Sequence, residues 1–340
     1  MIVTQGIVKR FGRVTAVDHA SFAVPARSVC GFLGPNGAGK TTTIRMLVGA
    51  LAADEGRMEV AGHDVAADGP AARSCTGYLA EESPLHPELT VEEFVRFRAA
   101  MHGVPRAQRA GAVEHALKRC QAWEVRRRLC GQLSKGYRQR TGLAAAMVHQ
   151  PQVIILDEPT SGLDPAQVLE FRRLLRELAA DATVLLSSHV LAEVEAVCDR
   201  AVLIHRGAVA AQGTLAELRA RGAAGQTLVV ETGAAGGGGA AGAGGVAGAA
   251  GVAGAAGAAG SADLRALLAA VPGVRAVDST LLPDGWQQWQ VRVGVDDASA
   301  VAAAVSAALA GRNVPLRRLE LQAVPLEEIF HRVMQAGGAA

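Results

Sequence analysis

Lysine is scarce in this 340-residue chain: only Lys9, Lys40, Lys118 and Lys135 stand among 34 basic residues. The basic residues meet 32 acidic ones for a formal charge of +2, which excludes the strong positive field of a protein that coats nucleic acid. The five cysteines (Cys30, Cys75, Cys120, Cys130, Cys198) form no CxxC pair and have no histidine at metal-ligand spacing, so a zinc site and a disulfide framework are both excluded. They read as buried thiols of a reducing compartment. A long, strongly apolar run is also missing. The longest uncharged stretch, residues 232–262, is glycine and alanine with a few Val, Thr and Ser, too weak a helix former to cross a membrane. The N-terminus alternates like a strand and has no basic-then-apolar leader, which places the chain in the cytoplasm.

The length favours two domains. Residues 1–220 alternate short aliphatic strands (29–33, 153–156, 183–186, 201–205) with helical stretches, the rhythm of an α/β domain. Residues 221–261, with low-complexity Gly/Ala over 233–260, read as a flexible linker. Residues 262–340 read as a small accessory α/β domain. It has a helix over 262–268 and a strand in which Trp289, Val291 and Val293 alternate with Gln288, Gln290 and Arg292. A helix opening at Asp296 or Asp297, a strand near 316–321 and a last helix over 326–334 complete it.

One of the four lysines sits in Gly34-Pro35-Asn36-Gly37-Ala38-Gly39-Lys40-Thr41, followed by Thr42, between an apolar strand and a helical TTTIRMLVGAL. That is the P-loop pattern in its required context. The glycines let backbone N–H groups converge on phosphate oxygens, and the helix start adds a positive dipole end. Lys40 reaches the β/γ-phosphates and the Thr41 hydroxyl suits Mg²⁺. No lysine follows an asparagine, so the NKxD base reader of a GTPase is absent. Downstream, the apolar residues 153–156 deliver Asp157 and Glu158 to a strand end, where ligands of such sheets collect. Asp157 suits a water-mediated hold on Mg²⁺ and Glu158 the orientation or deprotonation of an attacking water, which favours hydrolysis over transfer.

The order GPNGAGKTT, Leu133-Ser134-Lys135-Gly136-Tyr137, ILDEP, Ser161-Gly162-Leu163-Asp164 and Ser188-His189 resembles the ATP-binding cassette (ABC) family over residues 1 to about 220. The resemblance implies a P-loop nucleotide-binding fold with a helical subdomain, and a dimer that sandwiches two ATPs. In such a dimer Ser134 and Gly136 would contact the γ-phosphate held by the opposite subunit, and a serine hydroxyl with a glycine-exposed N–H at a helix start is a fit anion receptor. The resemblance further implies that His189 touches the γ-phosphate and steadies the water. Asp164 would act between subunits and Phe11 would stack on adenine.

Two features depart from the family pattern. Glu81 stands where the family usually has a glutamine that contacts Mg²⁺ and the membrane subunit, and Tyr137 ends the signature where glutamine is usual. LSKGY, with the closing Val324-Pro-Leu-Glu-Glu-Ile-Phe330, resembles a bacterial branch tied to export-type permeases and gliding-motility complexes. The expectation is therefore an ATP-hydrolysing subunit on the inner face of the cell membrane, partnered by an integral membrane permease and by a second copy or a related ATP-binding chain. Two rivals stand beside it: an ABC ATPase outside transport, disfavoured by the single P-loop and lack of heptads, and a non-hydrolysing regulatory subunit, disfavoured by the complete set of hydrolytic residues. The basic run 126–128 reads as a solvated face.

Overall fold

The computed structural model describes residues 1–82, 84–222, 226–233, 253–294 and 298–322. The chain divides into two compact units, the first spanning Met1–Leu218 and the second beginning at Arg219.

In the first unit, β1 (Ile2–Phe11), β2 (Val14–Val24), β4 (Glu55–Val60) and β5 (His63–Asp64) form an antiparallel sheet in the order β2-β1-β4-β5. A second sheet has the order β10-β9-β3-β8-β7-β6, built from β3 (Val29–Leu33), β6 (Thr76–Leu79), β7 (Val153–Leu156), β8 (Thr183–Ser188), β9 (Arg200–His205) and β10 (Ala208–Thr214). All its pairings are parallel except β10 with β9. Every residue of β3, β7 and β8 is buried, which explains their unbroken aliphatic runs: a parallel strand covered on both faces has no solvent side to alternate with. The carboxyl ends of β3, β7 and β8 lie side by side, and that edge is where the chemical residues collect.

Between β6 and β7 the chain leaves the sheet for α3 (Val91–Met101), α4 (Arg106–Arg119) and α5 (Lys135–Met147), which pack on one another as a helical subdomain. Helix α3 opens with a full capping box, Thr90 and Glu93 satisfying each other's backbone N–H groups. Residues 130–132 form a separate 3₁₀ turn before α5. The helix starts at Lys135 because Ser134 caps it, its Oγ accepting the Tyr137 N–H at 3.4 Å.

Past the end of α5, His149 stacks on His102 with ring centroids 3.8 Å apart and planes within 2°. Its Nε2 lies 3.2 Å from the Thr76 carbonyl, while its Nδ1 is buried with no partner among the described residues. Burial, with the neighbouring His102, pushes the His149 imidazole down from 6.5 to about 4. A histidine whose pKa falls on folding favours the native state fully above its unfolded value, and that contribution fades as the pH drops toward the folded one. Stability should therefore decline between pH 6.5 and about 4, and His149→Gln should lose less of its pH 7 stability at pH 5 than the parent. Urea unfolding midpoints at the two pH values check this; equal losses in both proteins would remove His149 from the account.

The second unit follows the order β11 (Gln226–Thr232), α9 (Ala253–Ala269), β12 (Val274–Leu281), β13 (Gln287–Val293), α10 (Ala298–Ala310), β14 (Leu316–Gln322). Its antiparallel sheet has the order β12-β13-β11-β14, the ferredoxin-like βαββαβ arrangement. Leu264, Leu268, Val301, Val305 and Leu309 from the helices pack with Trp289, Val291 and Val293, and the Trp289 indole N–H donates to Thr232 Oγ1 at 2.9 Å.

Two parts of the stretch 221–261 differ from the linker expected there. Strand β11 lies inside it and is a central strand of this sheet, paired with β13 on one side and β14 on the other. Helix α9 begins at Ala253, within the Gly/Ala run. Alanine is the best intrinsic helix former, and Leu264 and Leu268 anchor the helix on the core, so the run extends it toward the N-terminus. The glycine-rich segment thus interrupts the second unit between its first strand and first helix. The expected caps Asp296 and Asp297 and the expected closing helix over 326–334 lie outside the described residues.

Candidate active site

Residues 34–39 leave the end of β3 and enter α1 (Lys40–Leu47). Gly37 and Gly39 take φ of 77° and 101°, and a Cβ on Gly39 would come within 2.5 Å of the Ala16 carbonyl on β2. Gly39→Ala therefore meets both strain and a backbone clash, with an expected loss of about 1–3 kcal/mol of stability together with weaker ATP binding. Denaturant unfolding and nucleotide titration of that variant check it; parent-like values for both would show that the loop tolerates a Cβ there.

Lys40 is buried, and its Nζ donates to the Gly34 carbonyl at 2.8 Å and the Pro35 carbonyl at 3.3 Å. It also stands 3.4 Å from Glu158 Oε1. The other carboxylate oxygen, Glu158 Oε2, lies 2.6 Å from His189 Nδ1. A carboxylate only accepts, so Nδ1 carries the hydrogen. Glu158 thus joins Lys40, at the start of α1, to His189, just past the end of β8. Its backbone sits at φ 47°, a left-handed conformation that a glutamate adopts only when its surroundings enforce it.

Asp157 beside it is 1% exposed. Ser187, also buried, donates through Oγ to Asp157 Oδ1 at 2.6 Å and accepts the Glu158 N–H at 2.9 Å. Both members of the acidic doublet are therefore fixed by one hydroxyl of the neighbouring strand. The Asp157 charge also reaches β6, where burial first and Asp157 second push the Tyr78 phenol up.

A cavity of ≈390 Å³ is lined by Ala16, Asn36, Gly37, Gly39, Lys40, Thr41, Thr42, Glu81, Glu158 and His189. Most of the expected site residues meet there, Glu81 included, although it is exposed and follows β6 rather than the phosphate loop. Phe11 is not among them: it stands 51% exposed at the end of β1, with the Lys9 ammonium 5.7 Å from its ring centroid. Ser134, Gly136 and Asp164 do not line this cavity either. Ser134 caps α5, and Gly136 packs so closely on α6 (Pro165–Leu178) that a Cβ would lie 2.6 Å from Gln167 Oε1. Asp164 caps α6, its Oδ1 accepting the Gln167 N–H at 2.9 Å.

The sequence reading missed Ser187 and Ala16. A polar pair closing the apolar run of β8 was a usable signal for Ser187. Ala16 had none, since only the approach of β2 to the loop brings it in.

Strand, glycine-rich loop and helix, with a buried lysine under the loop and two carboxylates at the end of β7, one strand removed from β3 in the sheet, define a P-loop nucleoside-triphosphatase. Comparison with known families matches residues 17–161 to the family described as ABC transporter. A second match, to AAA domain, putative AbiEii toxin, Type IV TA system, covers residues 130–195. The chain is 36% identical over 209 residues to the bacitracin transport ATP-binding protein BcrA of Bacillus licheniformis, covering 61% of this chain and 67% of that protein. To the daunorubicin resistance ATP-binding protein DrrA3 of Streptomyces coeruleorubidus it is 37% identical over 220 residues, covering 64% and 70%. A solved ATP-binding subunit of an ABC transporter superposes with a TM-score of 0.60 at 29% identity, covering 65% of this chain and 92% of that one. The chain belongs to the ABC transporter family, as an ATP-binding subunit with the family's ATPase chemistry.

Proposed function

We propose that this chain drives export: it hydrolyses Mg·ATP as one half of a nucleotide-binding dimer and moves a separate integral membrane permease. The observation that carries the chemistry is the convergence of Lys40, Glu158 and His189 on one cavity, with Glu158 bridging the other two. The roles of the relatives, bacitracin transport and daunorubicin resistance, support outward movement of a compound.

The loop fits a triphosphate. Gly37 and Gly39 line the cavity at positive φ, a backbone shape that lets successive N–H groups turn toward an anion, and Lys40 supplies the charge. Thr41 and Asp157 offer the hard oxygen atoms that Mg²⁺ prefers, and they would hold it mostly through water; once bound, the ion would neutralise charge between the β- and γ-phosphates. Glu158 accepts a proton from the attacking water as its oxygen bonds to the γ-phosphorus and the bond to the β,γ-bridging oxygen breaks. His189 holds Glu158 through Nδ1 and turns its other nitrogen to the transferred group. Glu81 lines the same cavity, and its proposed role is to orient water on the metal rather than to touch phosphate, whose charge it would repel. Phe11 is proposed to stack on the adenine at the mouth of the site.

Ser134 and Gly136 at the start of α5 are proposed to complete the site of a second copy or a related chain, with Asp164 beside them. Among the described residues no helix is long and apolar enough to cross a membrane. The permease is proposed to be a separate polypeptide that holds this subunit on the inner face of the membrane. Affinity purification of the tagged chain from detergent-solubilised membranes tests the reading. A multi-span membrane protein is expected to copurify and to stimulate hydrolysis; retrieval of the chain without any integral membrane protein would overturn the transport role.

A further inference from the structure

Helix α7 (Leu191–Val197) carries a carboxylate to which the site's chemistry gives no part. Glu193 Oε2 accepts two hydroxyl hydrogen bonds, from Thr160 Oγ1 at 2.7 Å and from Ser188 Oγ at 2.9 Å. Thr160 comes two residues after Glu158, and Ser188 comes one before His189. Both hydroxyl residues are buried. Ser188 Oγ also accepts the Val190 N–H at 2.9 Å, so the same side chain braces the backbone on the far side of His189. A buried hydroxyl without an acceptor is unfavourable; Glu193 supplies the acceptor for Thr160 and the nearer of two for Ser188, whose Oγ also lies 3.3 Å from the Val190 carbonyl. An acid that served only the start of α7 would have no need of Thr160.

The arrangement bears on the 2.6 Å contact between Glu158 and His189. These residues lie 31 positions apart on separate loops. The ladder between β7 and β8 ends at Leu156 and Leu186, so beyond those residues the spacing of the two loops is set by side chains. Ser187 makes one tie, on the sheet side of the pair, to Asp157 and the Glu158 backbone. Glu193 makes the other, on the outer side, between the residues that flank the pair.

We propose that Glu193 is a positioning residue for ATP hydrolysis, fastening the loop that carries Glu158 to the loop that carries His189. The proposal rests on the roles given to those two residues above. It does not act on bound nucleotide directly, so its loss falls on the chemical step and not on ATP affinity. A misplacement of reacting groups by about 1 Å is enough to cost up to about 10²-fold in rate.

Steady-state hydrolysis by the full-length chain tests it. Glu193→Ala is expected to lower kcat about 10-fold or more with KM for ATP within about twofold. Glu193→Gln, whose amide oxygen still accepts hydroxyls, is expected to keep most of the parent rate. Thr160→Val should lower kcat less, and adding it to Glu193→Ala should cost under about twofold more, because one tie cannot be cut twice. Adding Glu193→Ala to His189→Ala should likewise change kcat by under about twofold. An unchanged kcat for Glu193→Ala, or a loss that adds in full to those of Thr160→Val and His189→Ala, overturns the tether and leaves Glu193 a stability residue. The underlying reading fails by a different result: parent-rate hydrolysis by Glu158→Gln would remove the base, while non-additivity between residues 193 and 160 would still report the tie.

Discussion

Glu158→Gln is expected to bind ATP at least as well as the parent and to lose hydrolysis by about 10²-fold or more, the range for removing a positioned general base. Glutamine has the same shape, keeps the backbone N–H bonded to Ser187, and meets the left-handed φ of 47° no worse than glutamate does. The change is therefore confined to the charge and the proton acceptor. Loss of the carboxylate also releases Lys40 from its 3.4 Å ion pair, so the ammonium engages the γ-phosphate without competition. Nucleotide binding by fluorescence titration and single-turnover hydrolysis separate the two effects. Parent-like turnover would strike out Glu158 as the base and shift attention to His189.

The second large effect falls on binding. Lys40→Ala removes a buried cation held under the loop by the Gly34 and Pro35 carbonyls, and with it the proposed contact to the β/γ-phosphates. A hydrogen bond to a charged group contributes about 1.5–3 kcal/mol, so ATP affinity is expected to fall about 10- to 100-fold. Glu158 keeps His189 as a partner and is not fully enclosed, so the fold should survive the change. Equilibrium dialysis with labelled ATP reads the affinity, and near-UV circular dichroism confirms the fold. A folded variant with undiminished affinity would mean that the loop's backbone N–H groups alone hold the phosphates.

The two variants also divide the cavity by function. In the proposed mechanism one side, with Lys40, Thr41 and the loop glycines, holds the phosphates; the other, with Glu158 and His189, carries the reaction. The carboxylate that joins them would be the point at which binding is felt by chemistry, because a bound phosphate would compete with Glu158 for the ammonium that now stands 3.4 Å from it.

How far each of these could be read beforehand depends on how local its cause is. The P-loop was legible because its requirements are local: a strand, glycines at positive φ, a lysine and a helix start follow one another within a dozen residues. The Asp157–Glu158 doublet was legible for the same reason, as the polar end of a fully buried parallel strand. In the second unit the alternation of Trp289, Val291 and Val293 against Gln288, Gln290 and Arg292 reflects a strand with one covered face, and it appears in the burial of β13 residue by residue. The Gly/Ala run misled because composition reports the average tendency of a segment, while α9 owes its start to leucines beyond the run that bury against a sheet. Strand β11 was lost in the supposed linker because its partners, β13 and β14, lie far along the chain.

The sequence by itself determined which groups are the candidates for the chemistry: a lysine and glycines for phosphate, two carboxylates at a strand end, a histidine after the next strand. Each of those assignments rests on neighbours in the chain. Only the tertiary structure decided that Glu81 and Ala16 share the cavity, that Phe11 stands outside it, that Glu158 is held left-handed, and that Ser187 and Glu193 fasten the loops around it. Those outcomes depend on strands that are neighbours in the sheet but tens of residues apart in sequence, and a distance of 2.6 Å between residues 158 and 189 is set by the packing that surrounds them rather than by the chain that joins them.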